Sequence, residues 1–238
     1  MRVLALDTTT RAATMALVED DRIVGEQVAD AARTPAEQLP GDLQRLLDAA
    51  GATLSSIDVF AVAAGPGSFT GLRIGIATVQ GLAVVTGRRV VPVSALEALA
   101  QIGSEGLPGG ALVAAWIDAR RRDVFSALYR VTEAPPFSAG RIVEVEPAIV
   151  DTPAATLSRW EAFDAPAVFV GDGARLFSDL IGGRGRLVAP PGLAGAIGRM
   201  AARRARAGDT VDPAGVQPLY VRRPDAEVAR ERHARSRP

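Results

Sequence analysis

The chain has 238 residues, 48% of them apolar, and 27 basic residues balance 27 acidic ones for a formal net charge of zero. With no cysteine and one histidine, His233, near the end of the chain, disulfides, thiolate chemistry, cysteine-based metal centres and a central Ser-His-Asp triad are excluded. The zero charge leaves no overall electrostatic footprint for nucleic acid, and every basic residue is an arginine.

Val3 to Leu6 reads as a short buried strand ending at Asp7, which interrupts the apolar run before it could serve as a signal sequence. Ala13–Val18 and Arg22–Val28 flank Glu19-Asp20-Asp21 as a hairpin. Pro35 starts a helix that runs to about Ala50, with Leu39, Leu43, Leu46 and Leu47 as its apolar stripe and Gly51 closing it. A strand over Val59–Ala64 leads into a glycine-rich turn and a long apolar helix. Arg89–Val93 is the next strand, and Ser94 caps a helix through Gln101. The order is β-β-β-α-β-α-β-α. After a Gly/Pro-rich boundary at Gly103–Gly110, the pattern restarts with a strand over Leu112–Ile117 ending at Asp118, then a hairpin-like run over Val124–Val131. Asp7 and Asp118 lie 111 positions apart, as do Ala16-Leu17 and Ala127-Leu128, which suggests a duplicated lobe. Ala134–Gly140 and Val150–Pro153 read as loops, Ala167–Val170 as a strand before a loop turn at Gly171-Asp172-Gly173, and Leu193–Ala207 as a helix with Leu193, Ile197 and Met200 facing in. Arg203, Arg204 and Arg206 read as its solvated end. The division expected is a first lobe over 1–102, a second over 111–209 and a tail over 210–238. No stretch reaches the roughly 20 apolar residues of a membrane span, and a cytoplasmic protein is expected.

The turn Gly65-Pro66-Gly67-Ser68-Phe69-Thr70-Gly71-Leu72-Arg73-Ile74-Gly75 sits where phosphate loops occur, between a buried strand and a helix. It lacks the lysine of a Walker A loop, and Gly71 follows Gly67 by four positions where a dinucleotide fingerprint needs three. Ser68 or Thr70 is placed to cap the helix; with Arg73 they are also the candidate anion contacts. Gly75 and Gly81 each cost the helix about 1 kcal/mol against alanine, so a close backbone approach is expected to compensate. Gly71, Gly75, Thr78 and Leu82 form a stripe of mostly small residues, and Ile74, Ala77, Gly81 and Val84 on the other side are small or apolar too. Such a helix is buried on both faces, one against its own sheet and one against a second helix.

Two α/β lobes, each opening on an acid-tipped strand and a hairpin, resemble the acetate and sugar kinase, Hsc70 and actin superfold. That resemblance implies a nucleotide between the lobes, with the turn Asp7-Thr8-Thr9-Thr10 placed for phosphate and magnesium. Asp118 with Arg120, Arg121 and Arg122 reads as a surface ion-pair cluster.

Val3-Leu4-Ala5-Leu6-Asp7-Thr8-Thr9, the long glycine motif, Val93-Ser94-Ala95-Leu96-Glu97-Ala98-Leu99, Ile117-Asp118-Ala119-Arg120-Arg121 and Pro218-Leu219-Tyr220-Val221-Arg222 are similar to the TsaB family across nearly the whole chain. The resemblance implies a dimerisation subunit, without catalytic residues or metal of its own, in synthesis of threonylcarbamoyladenosine beside the tRNA anticodon. Its partners would be a TsaD-type paralogue, a TsaE-type ATPase and, through the complex, tRNA, with a homodimer formed when alone. ATP or ADP with magnesium would sit at the complex interface, with none bound tightly by this chain. The interface implied is Leu39, Leu43 and Leu46 on the first helix and Gly71, Leu72, Gly75, Thr78, Val79 and Leu82 on the glycine-bearing helix. Asp7, Thr8, Thr9, Ser68, Thr70 and Arg73 would be vestigial nucleotide contacts. Family members often carry His-Ser-Glu near the start of the first helix; of that pattern Thr34-Pro35-Ala36-Glu37 retains only Glu37. TsaD-type paralogues hold a metal through His-x-x-x-His, which one histidine cannot supply. The rival reading is an ATP-dependent small-molecule kinase of the same superfold, with Asp118 as its candidate base.

Overall fold

The computed structural model describes residues 1–10, 12–30, 35–190 and 192–221. The first sheet has the order β3-β2-β1-β4-β5, from β1 (Arg2–Asp7), β2 (Thr14–Glu19), β3 (Arg22–Val28), β4 (Val59–Gly65) and β5 (Arg89–Ser94). The second has the order β8-β7-β6-β9-β10, from β6 (Leu112–Asp118), β7 (Val124–Val131), β8 (Ile142–Asp151), β9 (Val168–Val170) and β10 (Arg186–Val188). The same order occurs twice, so the duplication is real at the level of topology. The offset of 111 does not survive the first turn, however. Asp7 pairs with Thr14 and Asp118 with Val124, so the second turn is one residue shorter. With Asp7 laid on Asp118, Ala16 therefore falls on Ser126, and the match of Ala16 with Ala127 is chance alternation.

Helices α1 (Pro35–Ala49), α2 (Phe69–Thr86) and α3 (Ala95–Gly103) belong to the first half of the chain, and α4 (Pro153–Trp160), α5 (Asp172–Leu176), α6 (Ser178–Ile181) and α7 (Ala194–Arg206) to the second. The strands alternate with period two. Val3 and Ala5 face a central core shared with Leu96, Leu99, Val113, Val168 and Ile197. Leu4, Leu6, Met15 and Leu17 face the opposite way, onto α1 and α2. On the far side of the second sheet Trp116, Leu128 and Phe169 pack with Trp160 and Ile181. Sheets covered on both faces explain the near-continuous apolar runs of their central strands.

The lobe division differs from the sequence reading. α7 packs on β1, β2 and β4 of the first sheet, and α3 packs chiefly on β6 and β9 of the second. Of the arginines at the end of α7 only Arg206 is a solvated end; Arg203 and Arg204 are partly buried, and all three are paired. Arg204 pairs with Glu97, Arg203 with Asp21 and Arg206 with Asp20, which ties α7 to α3 and to the β2–β3 hairpin. Nor do the residues after Gly208 form a tail. Val211 bridges Val90 through two backbone hydrogen bonds, Gln80 Nε2 donates to the Pro213 carbonyl, and the Leu219 N–H donates to the Ala64 carbonyl. This stretch covers the first lobe through backbone groups, which leave no apolar period in the sequence. The arginine-rich run from Arg222, with His233, lies outside the described residues.

Val150–Pro153 is also not a loop. β8 extends to Asp151, and Thr152 caps α4 by accepting from the Ala155 N–H at 3.3 Å, with Pro153 in the first turn. β8 was hard to read because it is a half-exposed edge whose register shifts against β7 and which carries Glu144, Glu146 and Pro147. Asp172 opens α5 instead of sitting in a loop turn. α2, at 18 residues, is long and apolar enough by length and composition alone to cross a membrane, a test that core helices also pass, and it falls short of the roughly 20 apolar residues that the sequence reading takes as its criterion.

Arg141 is 6% exposed and fastens the connection between the lobes. Its guanidinium donates to the carbonyls of Ser104, Leu107, Thr132 and Ala134 and to Ser104 Oγ.

Candidate functional site

β1 delivers Asp7 to the end of the first sheet, where the chain turns through Thr8, Thr9 and Thr10. The Asp7 side chain is fully buried. Its Oδ1 accepts from the Thr9 N–H at 2.8 Å and the Thr9 hydroxyl at 2.6 Å, and its Oδ2 accepts from the Thr10 hydroxyl at 3.2 Å. Burial pushes the Asp7 pKa above the ordinary carboxylate value; its own turn opposes the rise, and the charge of Asp172 adds to it.

The glycine loop closes onto this turn. The Ser68 N–H donates to the Thr9 carbonyl at 2.9 Å, and the Thr8 hydroxyl donates to the Gly71 carbonyl at 2.7 Å. A Cβ at Gly67 would stand 2.6 Å from the Thr9 carbonyl oxygen; at Gly71 it would collide with the Thr8 carbonyl, and at Gly75 with the Thr8 hydroxyl. Gly71 and Gly75 are therefore filled by the chain's own turn and offer no notch to a partner. That close approach is the compensation the helix required, but it comes from within.

Asp7, Thr8 and Thr9 do not fit a magnesium–nucleotide pair. The carboxylate is buried with both oxygens engaged, and Thr8 and Thr9 are 1% and 2% exposed with their hydroxyls donated internally. Ser68 caps α2, accepting from the Gly71 N–H at 3.3 Å. The Arg73 guanidinium lies 4.0 Å over the Phe69 ring, its Nε 3.4 Å from the Tyr220 hydroxyl. Thr70 is exposed on the first turn of α2. Among the described residues no group of three or more His, Cys, Asp or Glu could hold a metal.

The second lobe repeats the device. Gly65 and Gly171 end the equivalent strands β4 and β9 with φ of 115° and 119°, a conformation that favours glycine. A Cβ at Gly173 would come within 3.1 Å of the backbone of Trp116, Ile117 and Asp118, as one at Gly67 meets Thr9. The Asp172 carboxylate accepts from the Asp118 N–H at 3.0 Å, and burial raises its pKa. Asp118 accepts from the Arg120 N–H at 2.8 Å and pairs with its guanidinium at 3.1 Å, so the expected ion pair forms. Arg120, Arg121 and Arg122 all have positive φ in this turn.

The residues read as a partner interface divide in two. Leu39, Leu46, Leu72 and Val79 are 2–3% exposed and belong to the core of the first lobe. Leu43, Thr78 and Leu82 are half-buried along a small apolar cleft between α1 and α2, over Leu4, Leu6 and Met15. The face that α2 turns outward is the other stripe. Ala77 and Gly81 are exposed, Val84 is 68% and Val85 86% exposed, and a Cβ at Gly81 would meet nothing within 4 Å. The sequence reading put the stripe of Gly71, Gly75, Thr78 and Leu82 at the partner interface; the structure turns that stripe inward and the stripe of Ala77, Gly81 and Val84 outward. Of the Thr34–Glu37 region, Glu37 is exposed on α1, and Thr34 lies outside the described residues.

A family model described as TsaD: tRNA N6-adenosine threonylcarbamoyltransferase matches residues 25–180. The chain is 38% identical over 133 residues to the tRNA threonylcarbamoyladenosine biosynthesis protein TsaB of Escherichia coli, a match spanning 56% of this chain and 57% of that protein. It is 31% identical to a solved structure, YeaZ from Pseudomonas aeruginosa, with a TM-score of 0.74 over 92% of this chain and 99% of that chain. The activator of the 2-hydroxyisocaproyl-CoA dehydratase from Clostridium difficile with bound ADPNP shares the fold alone, at a TM-score of 0.51 and 10% identity. The duplicated α/β lobes are those of the actin-like ATPase superfold.

Proposed function

The chain belongs to the TsaB/YeaZ family, and we propose that it serves tRNA threonylcarbamoyladenosine synthesis as a non-catalytic subunit that binds and activates a TsaD-type transferase. The observation that carries this reading is the outward face of α2. Val84 and Val85 stand in solvent, each worth about 1.5–3 kcal/mol if fully buried. Gly81 costs the helix about 1 kcal/mol with no compensating contact among the described residues. A second helix crossing closely at Gly81 accounts for both. A partner that binds only the competent conformer of the transferase raises that conformer's population, which is activation without chemistry.

Two further observations support it. A single histidine cannot build the His-x-x-x-His of a transferase. The buried, self-bonded Asp7 is a poor magnesium ligand, so nucleotide in this reading lies at the interface of the assembly, where a TsaE-type ATPase also engages. Alone, the same face pairs two copies of this chain. The assembly acts on tRNA in the cytoplasm.

The test is Gly81→Leu with isothermal calorimetry against the TsaD-type paralogue. The variant folds, because the space beyond Gly81 is open, and association falls by at least tenfold. Undiminished affinity would remove α2 from the interface.

A further inference from the structure

We propose that Phe69, Arg73 and Tyr220 form a stacking platform for an unpaired base of single-stranded RNA, with Arg73 meeting the adjoining phosphate. Among the described residues Phe69 and Tyr220 are the two aromatic side chains that stand well out of the protein, at 40% and 42% exposure. They come from distant parts of the chain and meet, with ring centroids 5.5 Å apart and a tilt of 31°. Arg73 covers one side of Phe69 at 4.0 Å and reaches the Tyr220 hydroxyl. The Tyr220 ring and the exposed Arg73 guanidinium are the surfaces left for stacking, and bases stack on both kinds of plane.

Charge decides between RNA and a protein surface. Arg73 has no carboxylate partner among the described residues, and α2 carries no acidic residue along its whole length. Of the exposed neighbours, Ser68 and Thr70 are polar and Leu219, beside Tyr220, is apolar, a more mixed surround than that of Gly81. Aromatic planes with positive charge and no acid suit a base joined to a phosphate. Along α2, Arg73 and Val84 are separated by about 16 Å, so a helix docked at Gly81 and Val84 leaves the platform open. The proposal rests on the tRNA-modification reading for its choice of RNA, but its test does not need the partner subunit.

The experiment is fluorescence anisotropy of the full chain with a labelled single-stranded RNA heptamer, with AMP as competitor. Tyr220→Leu weakens RNA binding about tenfold, and Phe69→Leu, which removes the ring that supports Arg73 and Tyr220, weakens it by a smaller factor. Arg73→Gln, at an exposed position on α2, lowers the salt slope by about one. AMP displaces the RNA only in large molar excess. Unchanged RNA affinity in all three variants overturns the proposal, as does the absence of RNA binding by the unmodified chain. Displacement by AMP at equal base concentration also overturns it, in favour of free nucleotide. Lost association with the TsaD-type paralogue and unaltered RNA binding would make the cluster a protein contact and sink the RNA assignment. Gly81→Leu separates the two readings, because it weakens paralogue association and leaves RNA affinity unchanged.

Discussion

Two alanine substitutions in one helix should move stability in opposite directions. At Gly71 a methyl group meets the Thr8 carbonyl, a backbone atom with no rotamer to change. Overpacking costs about 1–3 kcal/mol. The hydrogen bond from the Thr8 hydroxyl to the Gly71 carbonyl is lost as the turn moves away, a further 1 kcal/mol or so. The helix recovers about 1 kcal/mol from replacing glycine. Gly71→Ala is therefore destabilising by about 2 kcal/mol. At Gly81 the same methyl enters open space, so only the helix term remains and Gly81→Ala is stabilising by about 1 kcal/mol. The difference of about 3 kcal/mol corresponds to roughly 10 °C in melting temperature for a chain of this size. Urea denaturation followed by circular dichroism, at a dilution that keeps the chain monomeric, measures both. If the two variants shift in the same direction, or differ by less than about 1 kcal/mol, the turn does not rest on α2 as described.

Arg141→Met strips four carbonyls of their shared donor and costs about 3 kcal/mol in urea unfolding; a loss below about 1 kcal/mol would show that water replaces the guanidinium freely. For Asp7 the folded pKa is raised above the unfolded value of 3.8, so the folded state holds its proton more tightly. Below 3.8 both states are protonated; as pH rises from there to the folded pKa this group lowers stability. Asp7→Asn keeps the acceptor for Thr9 and lacks the titration, so its unfolding midpoint gains on the unmodified chain as pH rises above 4 in a buffered urea series. A gap that stays constant with pH would mean Asp7 is solvated in the folded chain.

Local sequence was enough for what one segment settles with itself. The apolar runs placed β1, β4, β5 and β6, Ser94 and Gly51 marked helix ends, and the acid at the tip of each lobe's first strand exposed the duplication. The long glycine motif and its companions carried the family. Sequence could not decide which side of α2 faces in, because both stripes are small or apolar and the 3.6-residue period fits either. The Thr8 carbonyl and hydroxyl decide it, since only glycine at 71 and 75 lets that turn lie on the helix. The exchange of α3 and α7 between the sheets, the course of residues 210–219 over the first lobe and the meeting of Phe69 with Tyr220 are likewise tertiary. Each depends on contacts between separate elements, most of them more than a hundred positions apart, or on backbone hydrogen bonds that any residue could make, and neither leaves a period in the sequence.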